Sequence, residues 1–297
     1  MPRHGSAPST ERALRVHHTG RRRKHHTAAV TAATLLTLAT LIGCASHSVD
    51  DHSPTGEQTP TISLPPVAAA FDYQLGGAYE PGPAVQIVVR DRLAPPADDR
   101  YSVCYLNAFQ TQPDELDNWP DDLLLHDADG DIVYDPDWPD EALIDTRDAE
   151  RVAAIVTPWI DQCADAGYDA VEFDNLDTYT RTNGLLTRDD NLTLASALVT
   201  RAHDAGLAAA QKNAAEDAAL LHTEAGFDFA ITEECAAYDE CDAYTDVYGD
   251  HVLAIEYSDP AAFADACAAP DRPASLIHRD RALTKPEEPG YVFELCP

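Results

Sequence analysis

From residue 70 onward the chain repeats one rhythm. A short apolar run is followed by a helical pattern that stops at glycine, and then by another short apolar run. The candidate strands are FDYQL (71–75), VQIVV (85–89), YSVCYLN (101–107), ALID (142–145), DAVEFDN (169–175), LAAAQKN (207–213), DFAIT (228–232), HVLAIEY (251–257) and SLIHR (275–279). DAERVAAIVTPWIDQCADAG opens on an acid-rich turn at Asp148 and Glu150 and stops at Gly167. DDNLTLASALVTRAHDAG likewise stops at Gly206. Both carry the start and stop signals of helices. Strand, helix, glycine and strand in turn form the βα unit of a parallel sheet. About eight such strands in about 230 residues, with no glycine-rich nucleotide loop, predict an α/β fold of the closed (β/α)8 TIM-barrel type rather than an open sheet. Nine candidates are one too many, so ALID or the last strand is expected outside the barrel. Neither an internal repeat nor a second domain is visible.

A barrel of this kind works at the C-terminal ends of its strands. Those ends carry Tyr105 and Asn107, Asp145, Glu172 and Asp174, Lys212 and Asn213, Glu233 and Glu234, and Glu256 and Tyr257; Asp72 lies within the first strand. In GYDAVEFDNLDTY (167–179) the acids follow an apolar run directly. Residues two apart in a strand share a face, so Glu172 and Asp174 point the same way, opposite Val171 and Phe173. If the apolar pair meets the outer helices, the acids point into the barrel mouth. Acids, amides, tyrosines and one lysine on one rim suit a polyhydroxylated substrate and two-carboxylate hydrolysis. The same acids could instead be solvated strand ends in an acidic protein, or ligands of a hard cation. The lysine in the cluster and the lack of EF-hand-like spacing weigh against a metal.

The N-terminal segment reads as a leader. Arg21 to Lys24 are basic, and Thr27 to Ile42 are apolar or small, too short to span a bilayer comfortably. Residues 1–43 are expected to be a signal peptide. LIGC (41–44) resembles a bacterial lipobox, which implies lipidation at Cys44 and an extracytoplasmic, membrane-anchored protein; an ordinary secretory signal is the alternative. Residues 44–68, rich in Ser, Thr, Pro and acids, are expected to be a disordered tether, leaving 69–297 as the barrel.

Charge narrows the partners. The first 43 residues hold seven of the 20 basic side chains and one of the 52 acidic ones, so the remainder carries 13 against 51, a net of −38. Such a body repels nucleic acid and attracts cations. There are seven cysteines, and lipidation of Cys44 leaves six for three disulfides in an oxidising compartment. Cys235 and Cys241, six apart, suit a local staple; sequence does not fix how the other four pair, and Cys104–Cys163 with Cys267–Cys296 is one choice among the open pairings. Neither CxxC nor HxxxH spacing suggests zinc.

FDYQLGG (71–77), VCYLNAF (103–109), GYDAVEFDNLDTY (167–179), QKN (211–213), DFAITEECAAYDECDAY (228–244) and AIEY (254–257) together resemble glycoside hydrolase family 114, the endo-α-1,4-polygalactosaminidase-like (β/α)8 barrels. The resemblance runs in order from 70 to 297. It implies hydrolysis of α-1,4-linked galactosamine or N-acetylgalactosamine polymers, by a monomer without metal or organic cofactor. By matching motif positions it implies Asp174 as nucleophile and Glu233 as general acid/base, with Asp72, Tyr105, Glu172, Asn175, Lys212 and Tyr257 shaping the substrate site. The chain departs from the family in having Phe173 where Pro is frequent, TEEC at 232–235 where NEQC is frequent, and Ala214 where an acid follows the lysine. Hydrolysis of another glycan on the same barrel, a non-catalytic surface glycan-binding lipoprotein, and a cation-binding surface protein are the competing readings.

Overall fold

The computed structural model describes residues 61–257 and 259–297. These fall within one unit, Gly56–Pro297. The expected signal peptide, Cys44 and residues 44–60 of the expected tether lie outside the described residues. Its last part is described: Ile62 packs against the inner core, and the Ser63 carbonyl accepts from Tyr101 Oη at 2.7 Å.

Eight parallel strands follow one another in chain order: β1 (Phe71–Tyr73), β2 (Ile87–Asp91), β3 (Tyr101–Asn107), β4 (Ala170–Asp174), β5 (Ala208–Lys212), β6 (Phe229–Glu233), β7 (Val252–Glu256) and β8 (Ser275–Arg279). A short β9 (Phe293–Leu295) runs antiparallel to β8. Sequential parallel order curls the sheet into a TIM-type barrel. The junction of β8 with β1 is bridged by a side chain. Arg279 Nη1 donates to Asp72 Oδ1 at 3.0 Å and to the Tyr73 carbonyl.

Helices cover the outside from β3 onward. They are α1 (Ala149–Ala166), α2 (Arg188–Asp204), the short α3 (Ala218–Leu220), α4 (Cys241–Tyr248) and α5 (Pro260–Ala268). α1 starts on Asp148, whose side chain accepts from Arg151 N, and ends at Gly167, whose φ of 93° is open to glycine at little cost. Thr187 and Asp190 form a capping box at the start of α2. Loops replace helices between β1 and β2 and between β2 and β3. Pro81, Pro83, Pro95 and Pro96 lie in them, where missing N–H groups oppose a helix.

ALID lies outside the barrel. Ala142, Leu143 and Ile144 make isolated antiparallel bridges to Tyr134, Gln110 and Leu124 within the long excursion between β3 and α1. Asp145 therefore caps a helical turn at Thr146–Asp148 and pairs with Arg147 at 2.5 Å instead of standing at the rim. The last candidate strand, SLIHR, is β8.

Strand parity divides the core in two. Phe71, Tyr73, Val103, Tyr105, Ala170, Ala208, Ala210, Phe229, Ile231 and Ile255 fill the barrel interior. Cys104, Leu106, Val171, Phe173, Ala209, Ala230 and Ala254 pack beneath the helices. Large rings on β1 and β3 face alanines on β4 and β5, so the layers interdigitate. Disulfides Cys104–Cys163, Cys235–Cys241 and Cys267–Cys296 tie β3 to α1, close the loop after β6, and join α5 to the C-terminal segment. Three such bridges point to an extracytoplasmic protein. Among the described residues no helix is long and apolar enough to cross a membrane.

Candidate active site

Because Val171 and Phe173 pack outward, Glu172 and Asp174 point inward, and there they meet Lys212 from β5 and Glu233 from β6. Lys212 Nζ lies 3.4 Å from Glu172 Oε1, 3.6 Å from Asp174 Oδ2 and 3.4 Å from Glu233 Oε2. Its ammonium takes the position a cation would need among three carboxylates. It also donates to Tyr73 Oη at 2.9 Å and sits over the Tyr73 and Tyr105 rings.

Each carboxylate has its own tyrosine. Tyr73 donates to Glu172 Oε1 at 2.8 Å, Tyr105 to Asp174 Oδ2 at 2.6 Å, and Tyr257 to Glu233 Oε1 at 2.5 Å. Burial and the nearby acids push all three phenols well above their usual range, so they remain donors. Asn175 N donates to Asp174 Oδ1 at 2.8 Å. Asn213 pairs with Glu233 twice, through Nδ2 to Oε2 at 3.3 Å and by accepting from Glu233 N at 2.8 Å.

Exposure separates the carboxylates. The side chains of Asp174 and Glu233 retain 17% and 29% of their accessible surface, whereas Glu172 retains 0% and Lys212 2%. Asp174 and Glu233 can thus touch a ligand, and Glu172 cannot in this conformation. The separation of Asp174 Oδ2 from Glu233 Oε2 cannot exceed the sum of their two distances to Lys212 Nζ. That sum admits both the 5–5.5 Å or so of retaining glycosidases and the lower end of the roughly 6.5–9.5 Å range of inverting ones.

The electrostatics follow the same geometry. Burial alone would lower the Lys212 pKa, but Asp174, Glu233 and Glu172 outweigh it and lift the value well above the ordinary one. Burial tends to raise Glu233, yet the Lys212 charge and the hydrogen bonds from Tyr257 and Asn213 hold it below the usual range. Glu172 goes the other way, to about 7, because desolvation exceeds the help of Lys212.

The backbone prepares this arrangement. Directly after β4, β5 and β6 come Asn175, Asn213 and Glu234, with φ of 62°, 49° and 59°. Left-handed residues turn the chain sharply at the strand ends. Asparagine accepts that conformation readily, glutamate less so. The turn takes Glu234 away from Glu233 to an ion pair with Arg281 at 2.6 Å, and Arg281 lies over the Tyr257 ring.

Tyr105, Glu172, Asn175, Lys212 and Tyr257 therefore join Asp174 and Glu233 in one assembly. Asp72 does not. It is buried among Gln74, Tyr79 and Arg279, because Phe71 and Tyr73 take the inward positions of β1. Glu256 faces outward too; it accepts from Ala236 N at 2.9 Å beside a separate cavity of about 410 Å³.

Sequence reasoning left Tyr73 and Glu141 without a role. Tyr73 shares the inward face with Phe71, a parity signal available in FDY. Glu141 comes from the excursion after β3 and accepts from Asn107 at 3.0 Å and Gln110 at 2.8 Å. Asn107 in turn accepts from Asn175 at 3.1 Å. No local pattern marks that contact.

Comparison with known proteins agrees with this architecture. The crystal structure of Aspergillus fumigatus Ega3 in complex with galactosamine superposes with a TM-score of 0.66 at 23% identity, over 80% of this chain and 100% of that one. The glycoside hydrolase domain of PelA from Pseudomonas aeruginosa superposes with a TM-score of 0.53 at 18% identity, over 76% of this chain and 98% of that one. A search of curated proteins finds no match. The family model described as Glycoside-hydrolase family GH114 matches residues 52–297, and on that match the chain belongs to glycoside hydrolase family GH114.

Proposed function

We propose that this glycoside hydrolase cleaves α-1,4-linked galactosamine and N-acetylgalactosamine polymers by a retaining mechanism, with Asp174 as nucleophile and Glu233 as general acid/base. The observation that carries the reading is the pair of solvent-reachable carboxylates held on one buried ammonium. The galactosamine bound in the Ega3 structure supports the choice of sugar. The net charge of −38 beyond residue 43 would concentrate a polycationic chain near the cleft.

In the first step Glu233, protonated, gives its proton to the glycosidic oxygen while Asp174 Oδ attacks the anomeric carbon. That carbon–oxygen bond breaks as the glycosyl–Asp174 ester forms. In the second step ionised Glu233 takes a proton from water, which attacks the same carbon and releases Asp174. Lys212 and Tyr257 hold Glu233 in the form that the second step uses. The first step draws on the smaller protonated fraction, which grows as pH falls.

The purified protein should release oligosaccharides from partly deacetylated α-1,4-galactosaminogalactan, read by mass spectrometry. Release from neutral α-glucans but not from this polymer would move the chain to another substrate. Binding without release would favour a glycan-binding role. Cys44 is proposed as the site of a lipid anchor in the bacterial cell membrane. Cys44→Ala should then move the protein from the membrane fraction to the medium, and unchanged partition would remove the anchor.

A further inference from the structure

The mechanism above uses two carboxylates, yet a third lies against the same ammonium. Glu172 is enclosed completely, so it serves no substrate. Its Oε1 accepts from Tyr73 Oη and lies 3.4 Å from Lys212 Nζ. Its Oε2 has no hydrogen-bond partner among the described residues. A buried carboxylate with one bare oxygen is costly when ionised. Tyr73 is shared, since it takes a hydrogen bond from Lys212 and gives one to Glu172. The groups around Lys212 are Tyr73 on β1, Tyr105 on β3, Glu172 and Asp174 on β4, Glu233 on β6 and Tyr257 after β7.

We propose that Glu172 is a positioning residue, a proton-accepting counter-ion of Lys212 that sets how strongly Lys212 holds Glu233 ionised. When Glu172 is neutral, the Lys212 charge acts on Asp174 and Glu233 alone, and Glu233 releases its proton at lower pH. When Glu172 is ionised, it competes for Lys212 and repels Glu233, and Glu233 keeps its proton to higher pH. In the glycosyl-enzyme Asp174 is an ester without charge, and Glu172 then remains as a counter-ion for Lys212. Its own titration near neutrality agrees with this placement.

The direct test reads Lys212 itself. The chain has three lysines, Lys24, Lys212 and Lys285. Lys24→Arg with Lys285→Arg leaves one lysine side-chain NMR signal, from Lys212. In that background the signal should step with a midpoint near pH 7, and Glu172→Gln should abolish the step. A flat signal, or a step that survives Glu172→Gln, overturns the proposal. Tyr73→Phe supplies a second variant, which keeps the charges and removes the hydrogen bond that favours ionised Glu172. It should move the midpoint upward, and an unmoved midpoint counts against the proposal. This arm needs no substrate.

The kinetic arm rests on the assignment of Glu233 as acid. Glu172→Gln should lower kcat/KM above pH 7, where wild-type Glu172 is ionised, and leave it unchanged well below pH 7, where Glu172 is already neutral. A coupling of about one pKa unit makes that loss about tenfold above pH 7, with KM little changed. A superimposable profile overturns the proposal.

Discussion

Arg279 at the end of β8 and Lys212 at the end of β5 are both buried cations beside strand-borne acids, and they are partnered differently. Arg279 spends its fork on fixed acceptors: Asp72, the Tyr73, Val292 and Thr284 carbonyls, and Asp280 nearby. Its planar geometry locks the β1–β8 junction. Lys212 is a point charge shared among three carboxylates and one phenol. Two of its carboxylates keep a surface toward solvent, and Asp72 keeps almost none. A fully satisfied ion pair holds the barrel; a shared and partly open one leaves two carboxylates with surface to offer a ligand.

The comparison can be broken from either side. On the Lys212 side, Glu233→Gln should reduce hydrolysis by about 10²–10⁴-fold through loss of acid/base catalysis. Asp174→Asn should reduce it at least as far, with both variants melting near the wild-type temperature. A large fall in melting temperature would recast these acids as structural. On the Arg279 side, Arg279→Met strands Asp72 inside the protein and should cost about 3–5 kcal/mol of stability, seen as a lower denaturant midpoint. If Arg279→Met unfolds at the wild-type midpoint but abolishes activity, the division of labour is reversed.

The two sides also differ in how far the sequence revealed them. Parity on β4 is readable because Val171 and Phe173 are apolar, and it orients Glu172 and Asp174 correctly. The same rule on β1 sends Tyr73 inward and Asp72 outward, although an acid inside a strand invites a substrate role. What parity cannot supply is the partner. Arg279 lies some two hundred residues from Asp72, about as far apart as a closed barrel allows. Only closure brings them together. Glu233 and Glu234 are adjacent, and alternation separates them. The positive φ at Glu234 is a backbone choice that glutamate does not signal. ALID is an apolar run with a terminal acid, like a barrel strand, yet it pairs within the excursion after β3.

Smaller effects sharpen the picture. Glu233 sits below its ordinary range because Lys212, Tyr257 and Asn213 outweigh burial. A group with a lowered pKa is protonated only at lower pH. On the alkaline side, kcat/KM should therefore rise about tenfold for each unit of acidification until the acid limb begins. A rate that climbs from pH 6 to 8 would show that Glu233 does not supply the proton. Tyr257→Phe removes the donor to Glu233 Oε1 and should move the alkaline limb upward in pH. The stability change should be only about 0.5–1.5 kcal/mol, measured by denaturant titration beside the pH profile.

The central claim is that Asp174 attacks while Glu233 manages the proton. Its most direct test is to trap the intermediate with an activated, fluorinated galactosamine glycosyl donor and map the adduct by peptide mass spectrometry. The account predicts one glycosyl unit on the peptide bearing Asp174 and none in Asp174→Asn. An adduct on Glu233, or inverted product with no adduct at all, would contradict it.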